Sequence, residues 1–304
     1  MNEMNKIIVL GGSGDQGIPL VRALKAEKLD VTAGVRRADA MKATPFADIK
    51  TVHADLMDAE TLKAAFHGHD ALLTHLPFEH DRQRAKAYGR NIAQAAKAVG
   101  LKKIVINSSC YDANRDLGIT GHDGRRDIKA AISGSGVPYV LIDPVVFMNN
   151  LVAPWCKPSI VKHNIFAYPA KPDLKISLIS LDDVARLMVA ALQNPLANNQ
   201  RFTVGGPEAL TGAEVAKVLS QAAGRDIEFK SLSPNEFAGN ISELVTGSRD
   251  IPEGSVYSGM ARFYTFYNDQ PRSPLDVDTE TFLPQLPVKL TSFSDWAHAQ
   301  DWSA

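Results

Sequence analysis

Residues 6 to 17 read KIIVLGGSGDQG. The apolar run Ile7, Ile8, Val9 and Leu10 fits a strand buried on both faces, as in a parallel sheet. The chain then turns through glycines into Ile18, Val21 and Leu24, whose spacing predicts a helix. A strand, a glycine turn and a helix N-terminus together make an anion site, because unpaired N–H groups and the positive end of the helix dipole face the same point. Two spacings fit: Gly12, Gly14 and Gly17 give G-x-G-x-x-G, and Gly11, Gly14 and Gly17 give G-x-x-G-x-x-G. Because the strand ends at Leu10, Gly11 is assigned the tight turn, Gly14 the approach to a pyrophosphate and Gly17 the packing of helix on strand. Ser13, Asp15 and Gln16 complete the expected cradle. A plain strand-to-helix turn is the alternative, and the flanking strand and helix favour dinucleotide binding.

Asp30 to Val35, DVTAGV, reads as the second strand and ends directly at Arg36 and Arg37. A site preferring NAD places an acidic residue about 20 positions beyond the glycines, where it accepts from the ribose 2′-hydroxyl. Paired arginines there would instead bind a 2′-phosphate through charge-assisted hydrogen bonds, so NADP(H) is expected in preference to NAD(H). A solvated basic loop is the plainer reading of the same residues.

Working outward, Lys50 to His53 is a short strand followed by Asp55 and Leu56, which could reach the adenine, although Asp55 could equally close a turn before the helix near Asp58 to Phe66. Ala71 to Leu76 is a strand ending at Pro77, a long helix spans about Asp81 to Val99, and Lys103 to Asn107 is again a strand. A helix of about Gly124 to Ser133 and a strand Val137 to Ile142 complete the alternation. The pattern predicts an α/β fold, a Rossmann-type doubly wound parallel sheet, with a smaller C-terminal α+β substrate lobe. Ligands of such sheets lie at the carboxyl ends of the strands. That rim would hold Gly11 to Gly17, Arg36, Thr74, His75, Leu76, Pro77, Ser108 to Tyr111, and then Pro144, Val145 and Phe147.

The expected division is 1–150 for dinucleotide binding and 151–304 for the substrate side, with 179–204 returning to the first domain. Residues 151 to 178 hold four prolines and no clean period. Ser180 to Asp183, Thr211 to Glu214 and Ser233 to Glu236 each resemble a capping box opening a helix. Tyr257, Phe263, Tyr264, Phe266 and Tyr267 either wall a pocket or simply pack the small lobe.

Bulk properties narrow the function. A net charge of −1 over 304 residues gives no reason to expect nucleic acid. Two cysteines, Cys110 and Cys156, are too few for a disulfide framework, and no apolar run approaches the about 20 residues of a membrane span. A cytoplasmic protein acting on a small molecule, with a homodimer compatible, is the expectation. His67-Gly-His69 has no zinc-like spacing, so no metal is expected, and no G-x-S-x-G surrounds Ser108 or Ser109.

The chain resembles the NmrA-like, atypical short-chain dehydrogenase/reductases. GGSGDQG is similar to their GATGxQG turn, and Arg36 and Arg37 follow the second strand as theirs do. Lys129, Gly136, Tyr139, Pro144, Phe147 and Asn149 resemble the family's helix lysine, sG-x-x-Y and RP-x-x-F-x-x-N. Asp182-Asp183-Val184-Ala185 and Gly205 to Thr211 resemble two further stretches, so the likeness runs to about residue 240. Two departures stand out. The Y-x-x-x-K pair of ordinary short-chain dehydrogenases is absent, since Arg125 precedes Lys129 by four, and the family's arginine before the proline is Asp143.

The resemblance implies hydride transfer to a small electrophilic acceptor such as a quinone, with Lys129, His122 and Tyr111 as candidates to hold the ribose or supply a proton. A solvated lysine and an ordinary loop histidine are the plainer readings of the first two. A quinone asks less of an acid than a ketone, which suits the missing tyrosine. The alternative from another class is a non-catalytic NADP(H)-binding redox sensor of the NmrA type.

Overall fold

Short apolar runs alternating with helical periods set the architecture. Strand β1 (Lys6–Leu10) turns into α1 (Gly17–Ala26), followed by β2 (Asp30–Val35), β3 (Lys50–His53) and α2 (Ala59–Phe66). Next come β4 (Ala71–His75), α3 (Arg82–Val99), β5 (Lys103–Asn107), α4 (Thr120–Ser133) and β6 (Tyr139–Pro144). The second half adds α5 (Lys157–His163), β7 (Ile165–Tyr168), α6 (Leu181–Gln193), β8 (Gln200–Val204) and α7 (Gly212–Ala223). It closes with β9 (Glu228–Ser231), α8 (Pro234–Thr246), α9 (Val256–Asp269) and α10 (Phe293–His298). These elements are those of a computed structural model that describes residues 4–37 and 39–303.

Seven strands form one parallel sheet in the order β3-β2-β1-β4-β5-β6-β8. This is the expected doubly wound α/β sheet. Its order reverses between β1 and β4, where Leu10 pairs with Thr74, and open sheets of this kind take ligands in the crevice above that switch. Alternate residues serve opposite faces. Ile7 and Val9 pack with Leu20 and Leu24 of α1 and Leu187 and Leu192 of α6. Ile8 and Leu10 pack with Leu62 and Phe66 of α2, Ile92 of α3 and Ile128 of α4. Each such side chain contributes up to about 1.5–3 kcal/mol relative to leaving it in water.

Lys103 ties α6 to the sheet. Only 1% exposed, it donates to the carbonyls of Ala191 (2.6 Å) and Asn194 (2.8 Å), placing a cation at the negative end of that helix. Burial pulls its pKa down to about 8. A two-stranded parallel sheet, β7-β9, packs with α7 and the aromatic residues Phe166, Tyr168, Tyr267 and Trp296 into the core of the C-terminal lobe. No described helix is long and apolar enough to cross a membrane.

Three expectations are corrected locally. Helix α4 opens at Thr120 rather than near Gly124, although its N-cap, Ile119, has no side-chain cap to offer. Packing decides this: a Cβ on Gly124 would meet Ala85 Cβ at 2.9 Å, so the glycines let α4 lie close to α3. Strand β4 stops at His75, and the Leu76 N–H crosses to the Asn107 carbonyl at 2.8 Å. Of the three capping boxes only Thr211 with Glu214 is reciprocal. Ser180 and Ser233 accept from the N–H of Asp183 and Glu236, but the Asp183 carboxylate turns to Arg186 and Thr291 instead.

Candidate functional site

The glycine turn after β1 divides its labour among three positions. Gly11 has φ +73°, and a Cβ there would lie 2.5 Å from Cε1 of His75, whose ring covers the turn. A Cβ on Gly17 would lie 2.0 Å from the Gly11 carbonyl oxygen, so α1 can reach the turn only without a side chain. At Gly14 the nearest atom to a Cβ is that same oxygen at 3.6 Å, and the space above is open. Gln16, the N-cap of α1, puts no side chain on the first turn; the Ile18 N–H donates to the Gly14 carbonyl at 2.9 Å and Pro19 has none, so among the described residues the Gly17 N–H is the first-turn donor left for an anion. Its Oε1 instead accepts from Asn107 Nδ2 (2.8 Å) and Ser109 Oγ (3.1 Å), binding the turn to the end of β5. Ser13 is half-buried and Asp15 exposed on the same loop.

At the end of β2 both arginines are exposed. Arg37 Nε lies 3.9 Å from Asp39 Oδ1, whereas Arg36 has no carboxylate within ion-pair distance among the described residues. Beyond β3 the Asp55 side chain accepts from the Met57 N–H at 2.9 Å, and Asp58 caps α2. The turn reading of Asp55 is therefore the geometry observed, with one carboxylate oxygen engaged locally. Leu56 is half-buried beside it, its carbonyl accepting from Asn91 Nδ2 at 2.9 Å.

The ends of β4 and β5 are partly turned inward. Thr74 and Leu76 are buried, and Pro77 is half-buried. His75 Nδ1 is buried without a hydrogen-bond partner among the described residues, and burial followed by the Arg125 charge lowers its pKa, so the ring is neutral at pH 7. Ser108 is buried, its hydroxyl donating to the Cys110 carbonyl at 2.8 Å. Ser109 holds a left-handed φ of +62°, fixed by its N–H on Asn107 Oδ1 (2.7 Å) and its hydroxyl on the Leu76 carbonyl (3.2 Å).

Lys129 does not reach an open rim. Its ammonium donates to Asp112 and, at 2.9 Å, to Asp143 Oδ1, and its side chain is 5% exposed. Asp143 also accepts from Arg201 Nε, and the Arg201 Nη2 donates to the Asp112 carbonyl at 3.0 Å. Arg126 lies 3.4 Å from the other oxygen of Asp112. Burial alone would raise the Asp112 carboxyl, but Lys129, by charge and hydrogen bond, and then Arg201 hold it below its ordinary value. His122 shares α4 with Lys129, yet it is 4% exposed and faces Asp123 Oδ1 at 3.2 Å. Burial lowers its pKa, so it is neutral at pH 7 and has no spare proton to lend.

Tyr111 is half-buried, with its ring 5.9 Å from that of Tyr267 on α9. Burial raises both phenols, Tyr267 well above the ordinary value, and the Tyr267 hydroxyl is buried without a partner. Of the aromatic group, Tyr264 donates to or accepts from Tyr168 at 2.8 Å within the lobe core, and Tyr267 extends that core to the strand ends. Past β6, Pro144 and Val145 are buried, with the Val145 N–H on the Val204 carbonyl at 3.1 Å, whereas Phe147 is half-buried.

The rim thus gathers Gly11 to Gly17, Arg36, His75, Pro77, Tyr111 and Phe147, and withdraws Lys129, His122, Thr74, Ser108 and Val145 beneath it. Asp112 and Arg201 are not singled out by the sequence, whereas Tyr267 is one of the aromatics it offers as a pocket wall. Asp143 shows in the sequence only as a departure before the proline, because its ion partners, Lys129 of α4 and Arg201 of β8, are brought to it by the fold.

A profile of the NmrA-like family matches residues 3–297. The chain is 30% identical over 230 residues to an NAD(P)H azoreductase of Xenophilus azovorans, spanning 75% of this chain and 77% of that protein. It is 25% identical over 250 residues to quinone oxidoreductase 2 of Escherichia coli, spanning 82% and 83%. Its fold is similar to the crystal structure of an NADPH-dependent quinone oxidoreductase from Escherichia coli complexed with NADPH, at a TM-score of 0.79 and 23% identity over 96% of this chain and 98% of that one.

Proposed function

The chain belongs to the NmrA-like family, and from that premise we propose that it is an NADP(H)-dependent reductase of a small electrophilic acceptor such as a quinone. The observation that carries the reading is the open Gly14 position beside the free Gly17 N–H at the start of α1, with Arg36 making no ion pair among the described residues at the end of the neighbouring strand. A pyrophosphate fits the first and a 2′-phosphate the second. The names of the azoreductase and quinone oxidoreductase relatives support the same chemistry.

When bound, the reduced nicotinamide supplies a hydride. The chain's own residues do the rest. Gly11 to Gly17 hold the pyrophosphate, with Gln16 locking the turn to β5; Arg36, assisted by Arg37, receives the 2′-phosphate; Leu56 borders the adenine. His75, Pro77 and Phe147 border the nicotinamide end, and Tyr111 with Tyr267 walls the acceptor. Lys129 is a positioning residue, fixing through Asp112 the loop that carries Tyr111.

The withdrawal of Lys129 and His122 favours a second reading, a non-catalytic NADP(H)-binding regulator. Oxidation of NADPH by purified protein, followed by loss of its absorbance against a panel of quinones, enones and azo dyes, decides between them. Acceptor-dependent turnover establishes the reductase. Tight NADPH binding without turnover sinks it in favour of the regulator.

A further inference from the structure

Arg125 stands four residues before Lys129, where a Y-x-x-x-K pair would carry its tyrosine. From α4 its Nη1 donates to the Gly121 carbonyl at 3.1 Å, and its Cζ lies 4.9 Å from the centroid of the Phe78 ring, itself 51% exposed beyond β4. The Nε–H is buried and has no acceptor among the described residues. The carboxylates of Asp112 and α4 are committed elsewhere, Asp112 to Lys129, Asp123 to His122 and Asp127 to Arg82, and Asp15, whose charge is also felt at His75, makes no ion pair with Arg125. Burial is the largest influence on His75, Cys110 and Tyr267, but the Arg125 charge is felt at all three, which come from β4, the loop after β5 and α9. A guanidinium at the meeting point of these elements, with a buried N–H unspent and no carboxylate within ion-pair distance among the described residues, has room for an anion.

We propose that Arg125 is the catalytic residue that receives the oxyanion of the reduced acceptor, and that it selects acceptors whose reduced oxygen is a stabilised anion, quinones and conjugated enones rather than simple ketones. This rests on the reductase reading. The hydride forms a C–H bond at the electrophilic carbon, the conjugated π pair moves onto the carbonyl oxygen, and the dinucleotide is left oxidised. The oxyanion accepts hydrogen bonds from the guanidinium and takes its proton from water. No side chain has to surrender a proton, which suits a site whose histidines are neutral and whose phenols are held protonated.

The test uses 4-nitrophenol as a mimic of the product anion, titrated into protein saturated with NADP⁺ and read by phenolate absorbance. Wild type is expected to bind the phenolate about tenfold more tightly than R125Q and to lower the pKa of the bound phenol by about one unit. Equal binding by the two, or none by wild type, overturns the proposal. If melting shows that R125Q is unfolded, R125K takes its place: weaker binding than wild type supports the role of the forked guanidinium, and unchanged binding overturns it. Turnover separates the two readings. Wild-type reduction of quinones that persists unchanged in R125Q overturns the role of Arg125 alone, whereas wild type that reduces no acceptor overturns the reductase reading and this proposal together.

Discussion

Asp143 Oδ1 accepts from Lys129 Nζ at 2.9 Å, with the aspartate side chain fully buried and the lysine 5% exposed. Lys129 is also bound to Asp112, and Asp143 to Arg201, so the charges that close α4, β6 and β8 together are buried except at Arg201, whose side chain is 28% exposed. Removing one member of such a group leaves its partners buried with one counter-charge fewer, an imbalance that solvent cannot make good. Asp143→Asn and Lys129→Ala are each expected to lower stability by about 3–5 kcal/mol, read by denaturant unfolding. A Lys129→Ala protein as stable as wild type would show that the lysine does its work elsewhere.

The glycines separate folding from binding. Gly14→Ala adds a methyl to open space and is expected to leave the melting temperature nearly unchanged while weakening NADPH binding about tenfold or more. Gly17→Ala drives a methyl into the Gly11 carbonyl and is expected to destabilise the protein itself. Paired melting curves and NADPH fluorescence titrations check both. Equal losses of stability would mean that Gly14 is a packing glycine too.

Arg36→Ala tests cofactor choice. A charge-assisted hydrogen bond contributes about 1.5–3 kcal/mol, so affinity for NADPH should fall about tenfold to a hundredfold. Affinity for NADH, which has no 2′-phosphate, should hold. If both cofactors weaken together, the arginine shapes the loop rather than reading the phosphate.

Acid stability should depend on Glu79 at the start of α3. Burial would raise its carboxyl, but the Asp81 N–H, the Tyr88 hydroxyl and Arg84 outweigh it and bring the pKa down to about 2. A depressed carboxylate stabilises fully above its unfolded value and loses that contribution as pH falls through the folded one. Glu79→Gln is therefore expected to melt below wild type at neutral pH, with the gap closing between about pH 4.5 and pH 2. A gap independent of pH would assign the loss to packing.

The strand ends were legible in the sequence because a parallel strand buried on both faces leaves a continuous apolar run, and the glycine turn has a steric reason at each position. Gln16 could be placed in the cradle but not given its partners, Asn107 and Ser109, which lie some ninety residues away. Strand β8 has only Phe202 and Val204 facing the core, too few to show a period. The start of α4 was hidden for the opposite reason: TGHDG reads as a loop by propensity, and only the close approach of α3 at Gly124 and of the Phe78 ring at Gly121 makes those glycines favourable. The same long-range assembly turned Lys129 from a surface candidate into one pole of a buried ion cluster. Arg125 was visible as a departure from a motif, while its unspent N–H depended on where every nearby carboxylate had gone.

Finally, the rate of acceptor reduction should vary little with pH above neutrality. Burial lowers the pKa values of His75 and His122, so both have already lost their protons at pH 7. Burial raises Tyr111 above its ordinary value and Tyr267 well above it, so both phenols stay protonated through pH 9. None of these four groups at the carboxyl ends of the strands then changes charge between about pH 7 and pH 9, and Lys103, which titrates near 8, lies at the opposite end of β5, so kcat/KM is expected to stay within about twofold across that range. His122 should show itself in stability instead. Its folded pKa lies below its unfolded one, so the unfolded chain binds the extra proton and stability falls as the pH drops below about 6.5. His122→Gln is expected to weaken that fall while leaving kcat near wild type. A rate that climbs as the pH is lowered through 7, and loses the climb in His122→Gln, would restore the histidine as the acid and remove the case for reduction without a side-chain proton donor.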